Sequence, residues 1–573
     1  MNRWSALALL LAIAGAAALR VSRLATRPLH NDEAVNAVKV SELWQHGRYA
    51  YDPDEYHGPA LHYATLPFLW LSGARTPADI QDATLRLAPV VFGVGLLLLL
   101  PLFADGLGRQ AVAWAAIFTA VSPAMVFYSR YFIHEMLLVF FTALTLGAGW
   151  RYIQARSSRR VFPHSLQQRE GQGGGGEIPD APAAEQSPRG HHPSVPVPLP
   201  VEATGAEGAG WAVMTGVGLG LMVTTKETFV LTLAAMGLAG IATVWWTIPR
   251  PLRRAQGRPR RVESLLALWN WKHAAVALSA AFVVWLVLFS SFFTNLAGLP
   301  DSARTYLPWL KRAGGHSPHV HPWSFYLERL AWFHPAKGPV WSEGAILALA
   351  AVGVVVSLAA KKSPLHRFLA LYTILLTALY SAISYKTPWC LLSFFQGMIL
   401  LAGVGAAALV ELARARPLKV ALVAVLIALT SHLAWEAWRA SFVDAADRRN
   451  PYVYAQTVPD VLNLVHRAEG IARVAPAGFE TVVKIIAPDN DYWPMPWYLR
   501  RFKHLGWYAK VPDDPFAPLV VVSSKLNARL DEKSDRKWLM VGISELRPGN
   551  FFELSVELEL WKKYVETLPR ERE

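Results

Sequence analysis

Apolar stretches, most of about 18 residues or more, recur along this chain, beginning with the 16 residues from Trp4 to Leu19. A run of about 18 is long enough to cross a hydrocarbon core roughly 30 Å thick. A chain built from such runs is a polytopic, all-α membrane protein, and composition agrees. Hydrophobic residues make up 53% of the 573 residues and charged residues only 17%, against about 25% in soluble domains. The formal net charge of +14 does not imply a nucleic-acid partner, because the charges concentrate in loops between apolar runs. The single cysteine, Cys390, excludes an internal disulfide and a cysteine metal cage. Its place in an apolar run makes it a buried small hydrophobe.

The apolar pattern predicts about 11 spans. They begin near Trp4, Arg86, Gln110, Phe132, Trp211, Phe229, His273, Gly344, His366, Cys390 and Lys419, and the last ends near Trp435. The first has no A-x-A-like cleavage site and reads as an anchor. Four loops are basic: Arg151, Arg156, Arg159 and Arg160; Arg250 to Arg261; Lys361 and Lys362; and Arg414, Arg416 and Lys419. All fall on one side, with the N-terminus, and that side is predicted to be cytoplasmic. Arg20, Arg23 and Arg27 run against the rule. Residues 157–210, rich in Gly, Pro, Ser and His, read as a disordered cytoplasmic insertion within a transmembrane module of residues 1–436. The pair His191-His192 within it reads as linker composition.

Residues 437–573 read as a small α/β domain outside the membrane, with a helix over Tyr454 to Arg473 and strands over Thr481 to Ala487 and Leu519 to Ser523. Between the strands, DYWPMPWYLRRF is either a packed aromatic corner, a belt at the membrane surface, or a platform for a sugar or for docking on the transmembrane part.

The residues with chemical potential gather in the predicted outer loops. Asp32 and Glu33 follow Pro28 in a segment too polar to span; they fit a helix start capped by Asn31 or Asp32, or a catalytic pair. In FYSRYFIHEMLLVFF, Arg130 and His134 are spaced to share a helix face, and Glu135 enters the membrane, where a carboxylate is costly and usually paired or functional. An Arg130–Glu135 ion pair is the structural alternative. The turn TTKETF offers Lys226 and Glu227, and SYKTPWC offers Lys386 and Trp389. Cations in tight outer turns suit either lipid headgroups or a phosphate leaving group whose charge needs stabilising. The acceptor hydroxyl needs a base, and Asp32 is the candidate.

RPLHNDEA, HGRYAYDP and HGPALHY together resemble the first outer loop of the GT-C membrane glycosyltransferases, in their protein mannosyltransferase and aminoarabinose transferase branch. YSRYFIHE resembles that branch's second-loop motif. The KET, YKTPW and DYWPMPWYLRR segments look like a prokaryotic subgroup whose archaeal members are associated with lipid-linked sugar flipping.

The resemblance implies a polyprenyl-phosphate sugar donor, a lipid, glycan or protein acceptor, and a prokaryotic plasma-membrane location with the site on the extracytoplasmic side. It makes Asp32 the catalytic residue, with Glu33 and Glu135 orienting the acceptor or, with His134, binding a divalent metal ion. Arg130, Lys226 and Lys386 would hold the donor phosphate, and His57, Glu227 and Trp389 would line the site. No organic cofactor is implied, and the adjacent Asn31-Asp32-Glu33 replaces a separated D-x-D pair. The alternative function is movement of lipid-linked sugars without bond chemistry.

Overall fold

A computed structural model describes residues 3–54, 57–158, 205–247, 270–314, 319–359 and 362–569. Its helices, in chain order, are α1 (Arg3–Val21), α2 (Asn31–His46), α3 (Ala60–Leu71), α4 (Asp82–Leu99), α5 (Arg109–Val121), α6 (Pro123–Tyr128), α7 (Glu135–Ser158), α8 (Gly205–Val223), α9 (Phe229–Thr247) and α10 (Trp271–Phe289). These are followed by α11 (Phe325–Ala331), α12 (Gly344–Leu358), α13 (Pro364–Ala382), α14 (Leu392–Leu412), α15 (Arg416–Trp438) and α16 (Asp460–Val474).

Among the described residues, eight helical stretches are long and apolar enough to cross a membrane. The chain is an integral membrane protein. The three other predicted spans coincide with the shorter apolar helices Gly208–Val223 and Gly344–Leu358 and with α5, of 13 residues. Residues 159–204, most of the predicted insertion with its His191-His192 pair, lie outside the described residues, as do Arg250 to Arg261 and Lys361. The insertion is shorter at both ends than expected. Ser157 and Ser158 complete α7, and α8 starts at Gly205, because no proline follows Pro200 to stop a helix there.

α14 is the centre of the bundle, with Leu392 to Gly397 and Ile399 to Ala407 buried. Small residues let its neighbours approach. A Cβ on Gly405 would overlap the carbonyl of Leu349 in α12, one on Gly353 that of Leu401, and one on Gly403 that of Ala111 in α5. Close backbone contact of this kind replaces the hydrophobic drive that lipid cannot supply between helices.

The C-terminal unit holds a five-stranded sheet in the order β2-β1-β3-β5-β4. Its strands are β1 (Val483–Ile486), β2 (Leu505–Tyr508), β3 (Leu519–Ser523), β4 (Trp538–Arg547) and β5 (Asn550–Glu557). β1 pairs in parallel with β2 and β3, and β5 runs antiparallel to β3 and β4. The predicted strands are β1 and β3. The predicted helix from Tyr454 starts only at Asp460, because Pro459 biases Val458 to extended backbone and the Val458 N–H bonds the Leu546 carbonyl at 3.0 Å. The residues before it form a strap across the bundle, where Tyr452 donates to Glu343 at 2.7 Å.

The aromatic segment docks this unit onto the transmembrane part. Buried Trp497 and partly buried Tyr498 each donate to Asp82 at 2.8 Å, Tyr498 accepts the Leu29 N–H at 2.7 Å, and Arg500 donates to the Pro77 and Ile80 carbonyls.

Gly405→Val should destabilise the detergent-extracted protein by about 1–3 kcal/mol or more through overpacking, read as a lower thermal-aggregation temperature. Gly149→Val, where a Cβ has nothing within 4 Å, should leave that temperature unchanged.

Candidate active site

The chain leaving α1 turns through Pro28 and enters α2, and what fixes this corner is Glu33. Its carboxylate is fully buried and accepts from five donors. Arg27 (2.7 Å), the His30 N–H (2.9 Å) and Arg86 (2.9 Å) reach Oε2, while Arg86 Nε (2.8 Å) and the Phe132 N–H (2.8 Å) reach Oε1. Burial alone would raise this carboxyl; Arg27 and Arg86 outweigh it and hold it well below the usual carboxylate range. With its lone pairs filled, Glu33 has none to offer an acceptor or a metal ion.

Glu33 also settles the cap. His30, not Asn31 or Asp32, is the N-cap: its Nδ1 accepts the Asp32 N–H at 3.1 Å, and Glu33 closes the capping box. Asp32 is thereby released from capping. Its carboxylate is half exposed, 3.8 Å from His30 Nδ1, and accepts no hydrogen bond among the described residues.

Asp32 faces a strip of aromatic and donor groups. His30 packs edge-on to Trp389 at 5.4 Å, and Trp389 to Tyr454 at 6.1 Å. The Tyr454 hydroxyl joins His319 Nδ1 (2.8 Å) and His321 Nε2 (3.0 Å), and His319 lies within electrostatic reach of Asp32. Burial lowers both imidazoles from their ordinary value. His321 is in turn within reach of Arg329 and Lys386. The Arg329 guanidinium lies 3.8 Å over the Phe325 ring and donates to the Pro451 carbonyl at 3.3 Å. It forms no ion pair among the described residues.

The other expected cations are already engaged. Arg130 does not pair with Glu135 and does not share a helix face with His134, because residues 129–134 form turns between α6 and α7. Its guanidinium caps the end of α1, donating to the carbonyls of Leu19, Arg20, Ser22 and Arg23. Lys226 makes a buried ion pair with Glu135, and the Glu227 carboxylate accepts from His57 Nδ1 at 2.7 Å. That contact keeps Glu227 below its usual range despite burial.

These crossed pairs weld three segments between helices together, helped by Gly58, where a Cβ would overlap the Thr224 carbonyl. His134 bonds the Gly58 carbonyl at 3.1 Å. The Lys386 ammonium donates to the carbonyls of His321 (3.2 Å) and Ile383. Arg20 and Arg27, the exceptions to the charge rule, are buried too: Arg20 donates to the Thr119 and Ala120 carbonyls at 2.8 Å.

Of the candidate metal ligands, Glu33 and Glu135 are committed to cations, and His134 is held through Nε2 by the Gly58 carbonyl. Among the described residues no group of three or more His, Cys, Asp or Glu is placed to hold an ion. The donor set does not fit a divalent cation. Sequence reasoning missed His319, His321, Arg329 and Tyr454. The only signal was the H-x-H between prolines in a long loop, and Arg329 on a short aromatic helix.

Residues 60–163 match the dolichyl-phosphate-mannose-protein mannosyltransferase family. No curated protein matches the chain. Its structure resembles that of ArnT from Cupriavidus metallidurans bound to undecaprenyl phosphate, with a TM-score of 0.60 and 14% identity over 96% of this chain and 98% of that one. The Archaeoglobus fulgidus oligosaccharyltransferase, tethered to an acceptor peptide, gives a TM-score of 0.50 and 12% identity over 88% of this chain and 64% of that one. The fold is that of the GT-C membrane glycosyltransferases. In this GT-C bundle the Asp32 corner is built by α1, α2, α4 and the turn before α7.

Two outcomes test these assignments. Breaking the buried pair with Glu33→Gln should cost about 3–5 kcal/mol at pH 7. Because the folded-state carboxyl is depressed, its contribution is fully present above the ordinary value of 4.5 and lost as pH falls below it. Wild-type stability should therefore decline from about pH 5 downward, and the variant should lack that share of the decline. Arg130→Gln should lower thermal stability while leaving polyprenyl-phosphate affinity unchanged, the reverse of what a phosphate ligand would do.

Proposed function

We propose that this chain transfers a glycosyl unit from a polyprenyl-phosphate donor to an acceptor hydroxyl on a lipid, glycan or protein. The transfer would take place at the extracytoplasmic face of a prokaryotic plasma membrane. One observation carries the reading. Among the described residues Asp32 accepts no hydrogen bond and Arg329 has no ion-pair partner, and both adjoin the same aromatic strip, in a fold shared with a protein solved with undecaprenyl phosphate.

Asp32 accepts the proton of the acceptor hydroxyl as its oxygen attacks the anomeric carbon. The bond between that carbon and the phosphate oxygen breaks, and its electron pair leaves on the phosphate. Arg329 stabilises the charge there, with Lys386 and His321 beside it. No strong acid is needed on the leaving side, because a phosphate leaves as an anion. Trp389 and Tyr454 form the wall against which a sugar ring packs. Glu33 sets the helix that carries Asp32, and the pairs Lys226–Glu135 and His57–Glu227 brace the loops around it. In this arrangement the transferase module is residues 1–436, and residues 437–573 form the outer α/β domain.

The test is transfer of radiolabelled sugar from a panel of polyprenyl-phosphate sugars by purified protein in liposomes. Asp32→Asn should keep the fold, since His30 supplies the cap, and lower transfer by a factor on the order of 10² or more. Arg329→Gln should weaken donor binding. Movement of lipid-linked sugar across the bilayer with no transfer product from the wild type would overturn the reading in favour of flipping.

A further inference from the structure

Beside its aromatic dock, the C-terminal unit also reaches the start of α2. Arg547 ends β4, opposite Asn550 across a tight turn, and its side chain is largely buried. The guanidinium donates to Asn31 Oδ1 at 2.7 Å and to the Trp493 carbonyl at 3.1 Å, and it makes an ion pair with Asp491. Asp491 is itself fixed by Asn550 at 2.9 Å. Asn31 is the first residue of α2, and Asp32 is the next.

Docking does not require this contact. Trp497, Tyr498 and Arg500 already hold the unit to Asp82, Leu29 and the Pro77–Ile80 segment. A second, buried cation is expensive to desolvate, and this one is placed where it constrains the first turn of α2. Glu33 holds that turn from the membrane side, and Arg547 holds it from the other. A base must sit within about 0.5 Å of its productive position, and a misplacement of about 1 Å can cost 10² in rate.

We propose that Arg547 is a positioning residue of the transferase site, through which the C-terminal unit fixes the start of α2 and thereby aims Asp32. This inference rests on the reading of Asp32 as the base.

The experiment uses full-length protein in liposomes with Arg547→Gln, Arg547→Lys, Asn31→Ala, the Arg547→Gln/Asn31→Ala double variant, and Arg500→Gln as a docking control. Arg547→Gln and Asn31→Ala should each lower kcat by about tenfold or more without changing polyprenyl-phosphate affinity. The double variant should be no worse than either, as expected of residues that act as one unit. Arg547→Lys should recover part of the rate, and Arg500→Gln should lower thermal stability while keeping kcat. Wild-type kcat in Arg547→Gln, additive losses in the double variant, or an equal loss in Arg500→Gln would each overturn the proposal.

Amide exchange over residues 30–36 gives an independent reading if the wild type transfers nothing, a result that removes the glycosyltransferase reading itself. Faster exchange there in Arg547→Gln than in Arg500→Gln, with β3 and β5 still protected, supports the positioning role; equal exchange overturns it.

Discussion

A carboxylate removed from water is among the most expensive things a fold can contain, and Glu33 is fully buried where four segments meet. Desolvating the group costs several kcal/mol. Two arginines and two backbone N–H groups offset that cost, and in doing so they join the exit of α1, the start of α2, the first turns of α4 and the turn before α7. The same web spaces the other charges. Arg27, drawn to Glu33, lies 3.5 Å over Tyr131. Tyr131 donates to Gln456 of the C-terminal strap at 2.5 Å, and Asn36, one turn along α2, returns a bond to the Phe132 carbonyl at 3.0 Å. Because Glu33 supplies the carboxylate of the capping box, its neighbour Asp32 has no structural duty.

A distinction follows between cations that hold the protein together and a cation available to a ligand. Arg20 and Arg130 satisfy the last carbonyls of helices, Arg86 and Arg27 neutralise Glu33, and Lys226 neutralises Glu135. Each is fully used before any substrate arrives. Arg329 is stacked on Phe325 and bonded to one carbonyl, with no carboxylate partner among the described residues. In the proposed reading this arginine meets the donor phosphate, which a planar guanidinium can bind in bidentate fashion. The pairing pattern, more than the position of any one charge, separates scaffold from site.

How much of this was legible in the sequence depended on whether the deciding partner was local. Apolar runs betray spans because the bilayer is a uniform solvent, so α1, α7 and α14 were visible from hydropathy alone. The turn with Lys226 and Glu227 was recognised as unusual for the same reason. Their partners, His57 and Glu135, lie 170 and 91 residues away, and nothing local names them. Arg130 looked like a phosphate ligand because a cation in an outer turn lacks a visible partner, and backbone carbonyls leave no trace in sequence. Asn31 and Asp32 fit cap preferences better than His30 does, but Glu33 three residues after His30 decided the cap. β2 and β4 escaped because they are partly buried without clean alternation, whereas β5 alternates Phe552, Leu554 and Val556 with Glu553, Ser555 and Glu557 and was legible. His319 and His321 sit in a loop without periodicity and Arg329 on the short helix α11; the strap that carries Tyr454 gathers them beside the Trp389 wall.

The position of the donor's phosphate separates a site at Arg329 from one at the scaffold cations. An experimental structure of the protein with polyprenyl phosphate, at a resolution that places the phosphorus, reads this directly. The phosphate should lie within hydrogen-bond distance of the Arg329 guanidinium, on the side of the Trp389–Tyr454 wall that faces Asp32, with the Arg130 and Lys226 contacts undisturbed. A phosphate seated on Arg130 or Lys226, with Arg329 uninvolved, would contradict it.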